Sequence, residues 1–193
     1  MKIHDLHFSF ADTVVFQGLN LEIDNYRTTA IMAPSGCGKT TLLRLIAGLL
    51  SPDKGYIDTE NQTVGIMFQE PRLFAQLTVL QNVMLVIKQK HDKKERALEL
   101  LQAFDVAQAA DKYPDELSGG MAKRVSLARV IAYDTDILLL DEPFSALDTQ
   151  TKQAVMEQVK RFTKDKTIVF ITHDQSEAQQ FADKILILPQ KDA

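Results

Sequence analysis

Hydrophobic and polar residues alternate with a period of two over the first 23 positions, a pattern typical of half-buried β-strands. The apolar positions of this segment are Ile3, Leu6, Phe8, Phe10, Val14, Val15, Phe16, Leu19, Leu21 and Ile23. The alternation is interrupted near residues 11–12 and 17–18, so it predicts two or three strands. We therefore expect an antiparallel β region at the N-terminus.

Further along the chain, strand and helix patterns alternate on either side of a stretch with helical periodicity alone. Short β-prone runs lie at residues 28–32, 64–69, 137–140, 167–172 and 184–188, and helical patterns at residues 38–50, 118–133, 149–164 and 175–182. Residues 53–63 are rich in turn-forming residues, and residues 72–117 show helical spacing only. This order predicts an α/β fold with a mainly parallel sheet flanked by helices and an inserted helical subdomain.

The length of 193 residues fits one domain, because a second large module would need a longer chain. We expect this domain to cover residues 1–193. Its core is predicted from residues 1–70 and 118–193, and its helical subdomain from residues 71–117.

Composition and charge exclude several classes of protein. Apolar residues make up 45% and charged residues 25%, which is an ordinary globular balance. The net charge of −4 gives no support to a nucleic-acid partner. The longest apolar runs are far shorter than the ~20 residues that a membrane helix needs, and the first residues lack the apolar core of a secretion signal. A single cysteine excludes an intrachain disulfide, so we expect a cytosolic protein.

A glycine-rich segment at residues 33–41 fits the phosphate-loop pattern G-x-x-x-x-G-K-S/T, except that Ala33 replaces the first glycine. Backbone N–H groups of such a loop and the following helix start bind phosphate, while Lys39 adds charge and Thr40 would bind Mg²⁺. The candidate nucleotide-binding residues are Ala33, Pro34, Ser35, Gly36, Cys37, Gly38, Lys39, Thr40 and Thr41. A positive φ would cost alanine ~1 kcal/mol and a negative φ almost nothing; our hypothesis is that Ala33 is tolerated.

Two further motifs lie downstream of this loop. Asp141 and Glu142 follow an apolar strand, at the end where α/β sheets place ligands. Asp141 would hold Mg²⁺ through water, and Glu142 would polarise an attacking water. Ser118 is placed to N-cap a helix, and Gly119 and Gly120 after it would present a second set of N–H groups to an anion.

The string Leu117-Ser118-Gly119-Gly120-Met121, taken with the two other motifs, resembles the nucleotide-binding subunit of an ABC transporter. The family signature is Leu-Ser-Gly-Gly-Gln, from which Met121 departs. The resemblance covers nearly the whole chain, from Phe10 to the last predicted strand. The strings at residues 68–73 and 113–121 are similar to importer ATPases of the nitrate, sulfonate and taurine group.

The resemblance implies roles for residues that the motifs alone do not assign. Phe10 would stack on adenine, although a core strand residue is the alternative. Gln69 would reach Mg²⁺ and the attacking water, and His173 would contact the γ-phosphate. Asp148 would lie in a loop that crosses a dimer interface, where Ser118, Gly119 and Gly120 of one chain close over ATP bound by the other.

The resemblance also implies ATP and Mg²⁺ as ligands, a head-to-tail homodimer on ATP binding, and a separate membrane permease that docks near Gln69 and residues 72–83. An extracytoplasmic solute-binding protein would complete the system, and this subunit would lie peripherally on the inner face of the cell membrane. The segment at residues 113–116 favours import. An exporter subunit, a soluble ABC-type ATPase not linked to transport, a P-loop kinase or GTPase, and a non-hydrolysing ATP switch stay as alternatives.

Overall fold

The computed structural model describes residues 1–34, 36–88 and 91–188, which form two compact units. The first unit contains Met1–Ile66, Asp136–Asp141 and the chain from Asp165 onwards; the second contains Met67–Thr135 and Glu142–Lys164. Ser35, a predicted phosphate-loop residue, lies outside the described residues. The division into a core and a subdomain of residues 71–117 stays a prediction.

Strands and helices follow one another in an order close to the predicted one. The strands are β1 (Lys2–Phe10), β2 (Thr13–Glu22), β3 (Thr28–Met32), β4 (Lys54–Asp58), β5 (Val64–Met67), β6 (Ile137–Asp141), β7 (Thr167–Ile171) and β8 (Lys184–Ile187). The helices are α1 (Lys39–Ile46), α2 (Val79–Met84), α3 (Lys93–Ala103), α4 (Gly119–Ala132), α5 (Thr149–Phe162) and α6 (Gln175–Phe181). None of the helices in the described ranges is long and apolar enough to cross a membrane.

The N-terminal strands form the predicted antiparallel sheet, in the order β2-β1-β4. β4 lies in the segment for which the sequence indicated turns. None of the five residues of β4 is buried, so the sequence of β4 has only a weak hydrophobic pattern. Its strand conformation is recognised from its pairing with β1.

The second sheet has five strands in the order β5-β6-β7-β3-β8, and β3 pairs in parallel with both β7 and β8 while β6 pairs in parallel with β7. Every residue of β6 and β7 is buried, as expected for central strands of a parallel sheet. Leu43 and Ile46 of α1 belong to the same core as Ile137. Successive side chains of a strand point to opposite faces of its sheet. In β7, the Phe170 ring lies 5.1 Å from the ring of Phe181 in α6. The predicted α/β fold class is confirmed.

The second unit consists of helices and turns. Apart from Met67 of β5, its described residues contain no strand, in agreement with the helical periodicity of residues 72–117. The helix α3 buries Ala97, Leu100 and Leu101 along one face. Residues 72–78 are not helical; buried Asn82 donates to the carbonyl oxygens of Phe74, Leu77 and Thr78 instead.

Candidate functional site

The phosphate loop connects β3 to α1 in the first unit, and Gly38 is the residue on which its geometry most depends. Gly38 is the N-cap of α1 and has a φ of 82°. A Cβ on Gly38 would lie 2.5 Å from Val15 Cγ1 and 2.9 Å from Phe16 Cζ of β2. Conformation and space therefore both require glycine at this position.

Two other loop positions differ from Gly38. Gly36 has a φ of 83°, but a Cβ there would meet no atom within 4 Å, so only its backbone conformation favours glycine. Ala33 is not among the residues with positive φ, and its side chain packs against the apolar core. The first motif position therefore has no conformational need for glycine, which decides the alternative that the sequence left open for Ala33.

Lys39 bends back over the loop that precedes it. Its ammonium nitrogen donates to the carbonyl oxygen of Ala33 at 2.6 Å and to that of Pro34 at 2.9 Å. Two carbonyl acceptors thus hold the positive charge at the loop, next to the N-terminus of α1. The helix N-terminus and the ammonium group both favour an anion there.

Thr40 and Asp141 meet in the first unit although 101 positions separate them in the sequence. The Thr40 hydroxyl donates to Asp141 Oδ2 at 2.7 Å, and Asp141 ends β6 with an exposed fraction of 2%. A hydroxyl and a carboxylate oxygen at this distance are ligands that suit Mg²⁺. Within the described ranges, no group of three or more His, Cys, Asp or Glu residues could hold a metal ion.

His173 follows β7 and is exposed. The residues beside it are fixed by side-chain hydrogen bonds: the Thr172 hydroxyl donates to buried Glu177 at 2.5 Å and accepts from the backbone N–H of Asp174 at 3.0 Å. Asp174 in turn caps α6. Glu177 was not singled out from the sequence, where its buried position has no signal. The γ-phosphate contact of His173 stays a prediction.

Phe10 lies at the end of β1 with 47% of its surface exposed, and its ring contacts the Phe8 ring edge-on at 4.8 Å. The alternative that Phe10 is a core residue is therefore wrong. An exposed aromatic ring is available for stacking, and the adenine role stays a prediction.

Gln69 and Glu142 lie together in the second unit. The Gln69 side-chain amide donates to Glu142 Oε2 at 3.1 Å. Glu142 has a φ of 47°, a left-handed conformation that is unfavourable for a side chain of this kind. The Ser145 hydroxyl donates to the Glu142 carbonyl oxygen at 2.9 Å, and this contact helps to hold the strained turn.

The signature residues begin α4. The Ser118 hydroxyl accepts from the Met121 N–H at 3.2 Å, so the predicted N-cap is confirmed. A Cβ on Gly119 would meet nothing within 4 Å, whereas one on Gly120 would lie 3.3 Å from the Ala146 carbonyl oxygen. The first turn of α4 leaves N–H groups without partners inside the helix, as the sequence predicted.

Asp148 is the N-cap of α5 in the same unit. Its carboxylate accepts from the Thr151 N–H at 3.0 Å. Hydrogen bonds from the side chain and the backbone of Thr151 hold the pKa of Asp148 below its ordinary value. The contact explains a structural role for Asp148, while its place at a dimer interface stays a prediction.

Three side chains of α4 that were not identified from the sequence hold the backbone of residues 69, 71 and 72. The Lys123 ammonium donates to the Gln69 carbonyl oxygen at 2.5 Å, and the Ser126 hydroxyl to that of Pro71 at 3.2 Å. Arg129 donates to the carbonyl oxygens of residues 71 and 72, and burial lowers the pKa of its guanidinium. Their partners are backbone carbonyl groups more than 50 positions away, which the sequence alone does not bring together.

A family model described as ABC transporter matches residues 16–145, a range that includes the phosphate loop, the signature and the acidic pair. The chain belongs to the ABC transporter family. The predicted family is thereby confirmed.

Curated relatives in the ABC transporter family are sulfate/thiosulfate import ATP-binding proteins. The Pseudomonas syringae pv. tomato protein is 36% identical over 97% of this chain and 64% of its own length. The Escherichia coli protein is 36% identical over 98% of this chain and 58% of its own length. This chain thus spans less than two thirds of these relatives. The resemblance to the nitrate, sulfonate and taurine group stays a prediction.

A solved structure supports the same assignment. It is described as a dimeric post-hydrolysis state of the ATP-binding cassette MJ0796 bound to ADP and Pi. It superimposes with a TM-score of 0.85 over 97% of this chain and 93% of the other, at 29% identity. The fold of an ATP-binding cassette therefore extends over nearly all of this chain.

Proposed function

We propose that this chain binds and hydrolyses ATP as the nucleotide-binding subunit of an ABC importer. The observation that carries the proposal is the 2.7 Å hydrogen bond between Thr40 and Asp141, which joins the phosphate loop to the acidic end of β6. The names of the relatives support it, since they include import ATP-binding proteins and a cassette bound to ADP and Pi.

In this proposal the loop binds the ATP phosphates. N–H groups around Gly36 and Gly38 would donate to phosphate oxygens, and Lys39 would exchange its two carbonyl acceptors for them. Thr41 is placed in the first turn of α1, and Cys37 is a half-buried loop residue. Pro34 would help to shape the loop, and the exposed ring of Phe10 would stack on adenine.

Thr40 and Asp141 would hold Mg²⁺, with Gln69 as a further candidate ligand through its amide oxygen. The oxygen chemistry of Thr40 and Asp141 fits this ion. When bound, Mg²⁺ would neutralise charge on the phosphate oxygens. Asp141 is held for this role because it is buried at the end of a strand that is buried along its whole length.

Glu142 is the proposed general base for the attacking water. Its carboxylate has one oxygen within hydrogen-bond distance of the Gln69 amide, so Gln69 would orient Glu142 and the water. His173 would contact the γ-phosphate from the end of β7.

The proposed active form is a head-to-tail dimer of this chain. Ser118, Gly119 and Gly120 of one copy would close over ATP bound by its partner, with Asp148 in the interface. The open space around Gly119 is consistent with a ligand approaching the start of α4. The MJ0796 cassette, described as dimeric, supports such an arrangement.

The full system would contain a membrane permease and an extracytoplasmic solute-binding protein. The permease would dock near Gln69 and residues 72–83, where Phe74 is 46% exposed, and would place this subunit on the inner face of the cell membrane. The sulfate/thiosulfate import proteins among the relatives support import. Membership of the nitrate, sulfonate and taurine group is a finer proposal that only the two sequence strings support.

The decisive experiment replaces the proposed base, as Glu142→Gln. This variant keeps the shape of the side chain and its contact with Gln69 but loses the basic oxygen. We expect hydrolysis to fall by at least about 100-fold while ATP still binds. Light scattering should then detect a shift from about one chain mass to about two when ATP is added.

A Glu157→Gln variant is the matched control, because Glu157 is an exposed residue of α5. It should keep the hydrolysis rate of the wild-type protein. Wild-type protein that fails to hydrolyse ATP would contradict the proposed enzymatic function. Co-purification with a permease fused to its own nucleotide-binding domain would instead contradict import.

A further inference from the structure

Gln69 is held at two points in the second unit. Its side chain donates to Glu142 Oε2, and its backbone carbonyl oxygen accepts from Lys123 Nζ at 2.5 Å. Lys123 belongs to α4, the helix that starts with the signature residues, and only 4% of its surface is exposed. The ammonium group therefore lies inside the unit, close to the backbone of a proposed active-site residue.

We propose that Lys123 is a positioning residue that sets the place of Gln69 and, through it, the orientation of the Glu142 carboxylate. The inference rests on the proposed function. Lys123 itself would touch neither ATP nor the attacking water. Its effect would pass through one backbone carbonyl and one side-chain amide.

The local structure gives Lys123 this role rather than its neighbours. Gln69 is exposed and lies beyond the end of β5, so its backbone has no ladder hydrogen bonds to fix it. A bond from a charged donor is among the stronger hydrogen bonds, and burial strengthens it further. Ser126 and Arg129 hold the carbonyl groups of residues 71 and 72, so they anchor the segment downstream of Gln69.

The first experiment compares Lys123→Met with Arg124→Met. Methionine keeps most of the length of the lysine side chain and removes its donor. Arg124 is the matched control because it is also largely buried on α4 and donates to backbone carbonyls, but those of Phe104 and Asp105. We expect Lys123→Met to lower kcat about tenfold, with KM for ATP within about twofold. Arg124→Met should keep kcat within about twofold at a temperature where both variants are folded.

Two further variants distinguish positioning from a general structural role. If Lys123 acts through Gln69, adding Lys123→Met to a Gln69→Ala protein should change kcat by less than about twofold. Lys123→Arg, which keeps a charged donor, should recover most of the lost kcat. Independent and multiplicative effects of the Lys123 and Gln69 substitutions would overturn the proposal.

A measurement without turnover separates this inference from the proposed function. The side-chain NH₂ signals of Gln69 in ¹⁵N NMR spectra, assigned by Gln69→Ala, should move in Lys123→Met and in Glu142→Ala but not in Arg124→Met. Unchanged Gln69 signals in a folded Lys123→Met protein would overturn the inference, whether or not the wild-type protein hydrolyses ATP. Thermal unfolding of each variant establishes that it is folded under these conditions.

Discussion

At the scale of single residues, backbone conformation adds to what side-chain chemistry indicates about three positions of the proposed site. Gly36, Gly38 and Glu142 all have positive φ, but only the first two are glycines. A glycine adopts this region without steric cost, whereas glutamate is strained there. The same conformation occurs at ten other non-glycine residues in the described part of the chain, so the proposed role of Glu142 depends on its contact with Gln69 and not on its φ.

The two loop glycines give a quantitative prediction. Gly38→Ala combines an unfavourable φ with contacts to Val15 and Phe16, so we expect the free energy of unfolding to fall by about 2–4 kcal/mol. Gly36→Ala has the unfavourable φ alone and should cost about 1 kcal/mol. Urea unfolding of both variants measures the difference.

Gly119→Ala serves as the control for these two substitutions. Gly119 has no positive φ and has open space around it, so its replacement should change the unfolding free energy by less than about 0.5 kcal/mol. Equal losses at positions 36 and 38 would mean that the contacts with β2 can relax at little cost.

The residues that the sequence identified are those whose chemistry is carried by a local string. The phosphate loop and the signature cap could be located in this way, because each is formed by consecutive residues. Lys123 and Glu177 could not, since their importance depends on partners that only the folded chain brings close. Whether alanine is tolerated at position 33 could be decided only from its φ, which a string of residues does not contain.

At the scale of elements, strands with a clear hydrophobic pattern were predicted from the sequence, and the strand without such a pattern was missed. β6 and β7 are apolar because both faces are buried, so each gives a clear signal in the sequence. β4 is an exposed edge strand of its sheet, and polar residues there hide it. The strands of this chain could therefore be predicted from the sequence where folding buries them, and strand propensity contributed less.

Asp136 joins three strands at their starts and provides a prediction on pH. Its carboxylate accepts from the Thr63 N–H at 2.8 Å and from the Thr63 hydroxyl at 2.7 Å, just before β5. Its backbone oxygen accepts from the N–H of Thr167 in β7. The hydrogen bonds from Thr63, from its side chain first, lower the pKa of Asp136.

A lowered pKa in the folded state means that ionised Asp136 stabilises the protein above the unfolded-state pKa of about 3.9. This contribution is lost as the pH falls through the folded-state pKa. Asp136→Asn should therefore reduce stability by about 0.5 kcal/mol at pH 7, a small value because the side chain is exposed and screened by solvent. The difference from wild type should narrow as the pH falls below about 4. Thermal unfolding at pH 7, 5, 4 and 3 measures it, and a constant difference would contradict the role of the charge.

At the scale of the whole molecule, each of the two units contains a helix whose N-terminus is suited to bind an anion. In the first unit α1 follows the phosphate loop, and in the second α4 follows Ser118. The resemblance to the ABC family implies a head-to-tail dimer, and in the proposed dimer the signature residues of one chain close over the nucleotide of its partner, so both motifs are used.

This assignment predicts that two inactive variants restore activity when mixed. Lys39→Ala removes the charge at the phosphate loop, and Gly119→Asp places a negative charge at the start of α4, where there is space for it. Each variant alone should hydrolyse ATP at a few per cent of the wild-type rate or less. In an equal mixture, half of the dimers contain one site with an intact loop and an intact signature, so about a quarter of the wild-type rate should return. A chain that carries both substitutions should restore nothing when mixed with either single variant. If the two single variants stay inactive together while light scattering detects their dimer, the signature residues do not act across the interface, and the exchange of motifs between copies is wrong.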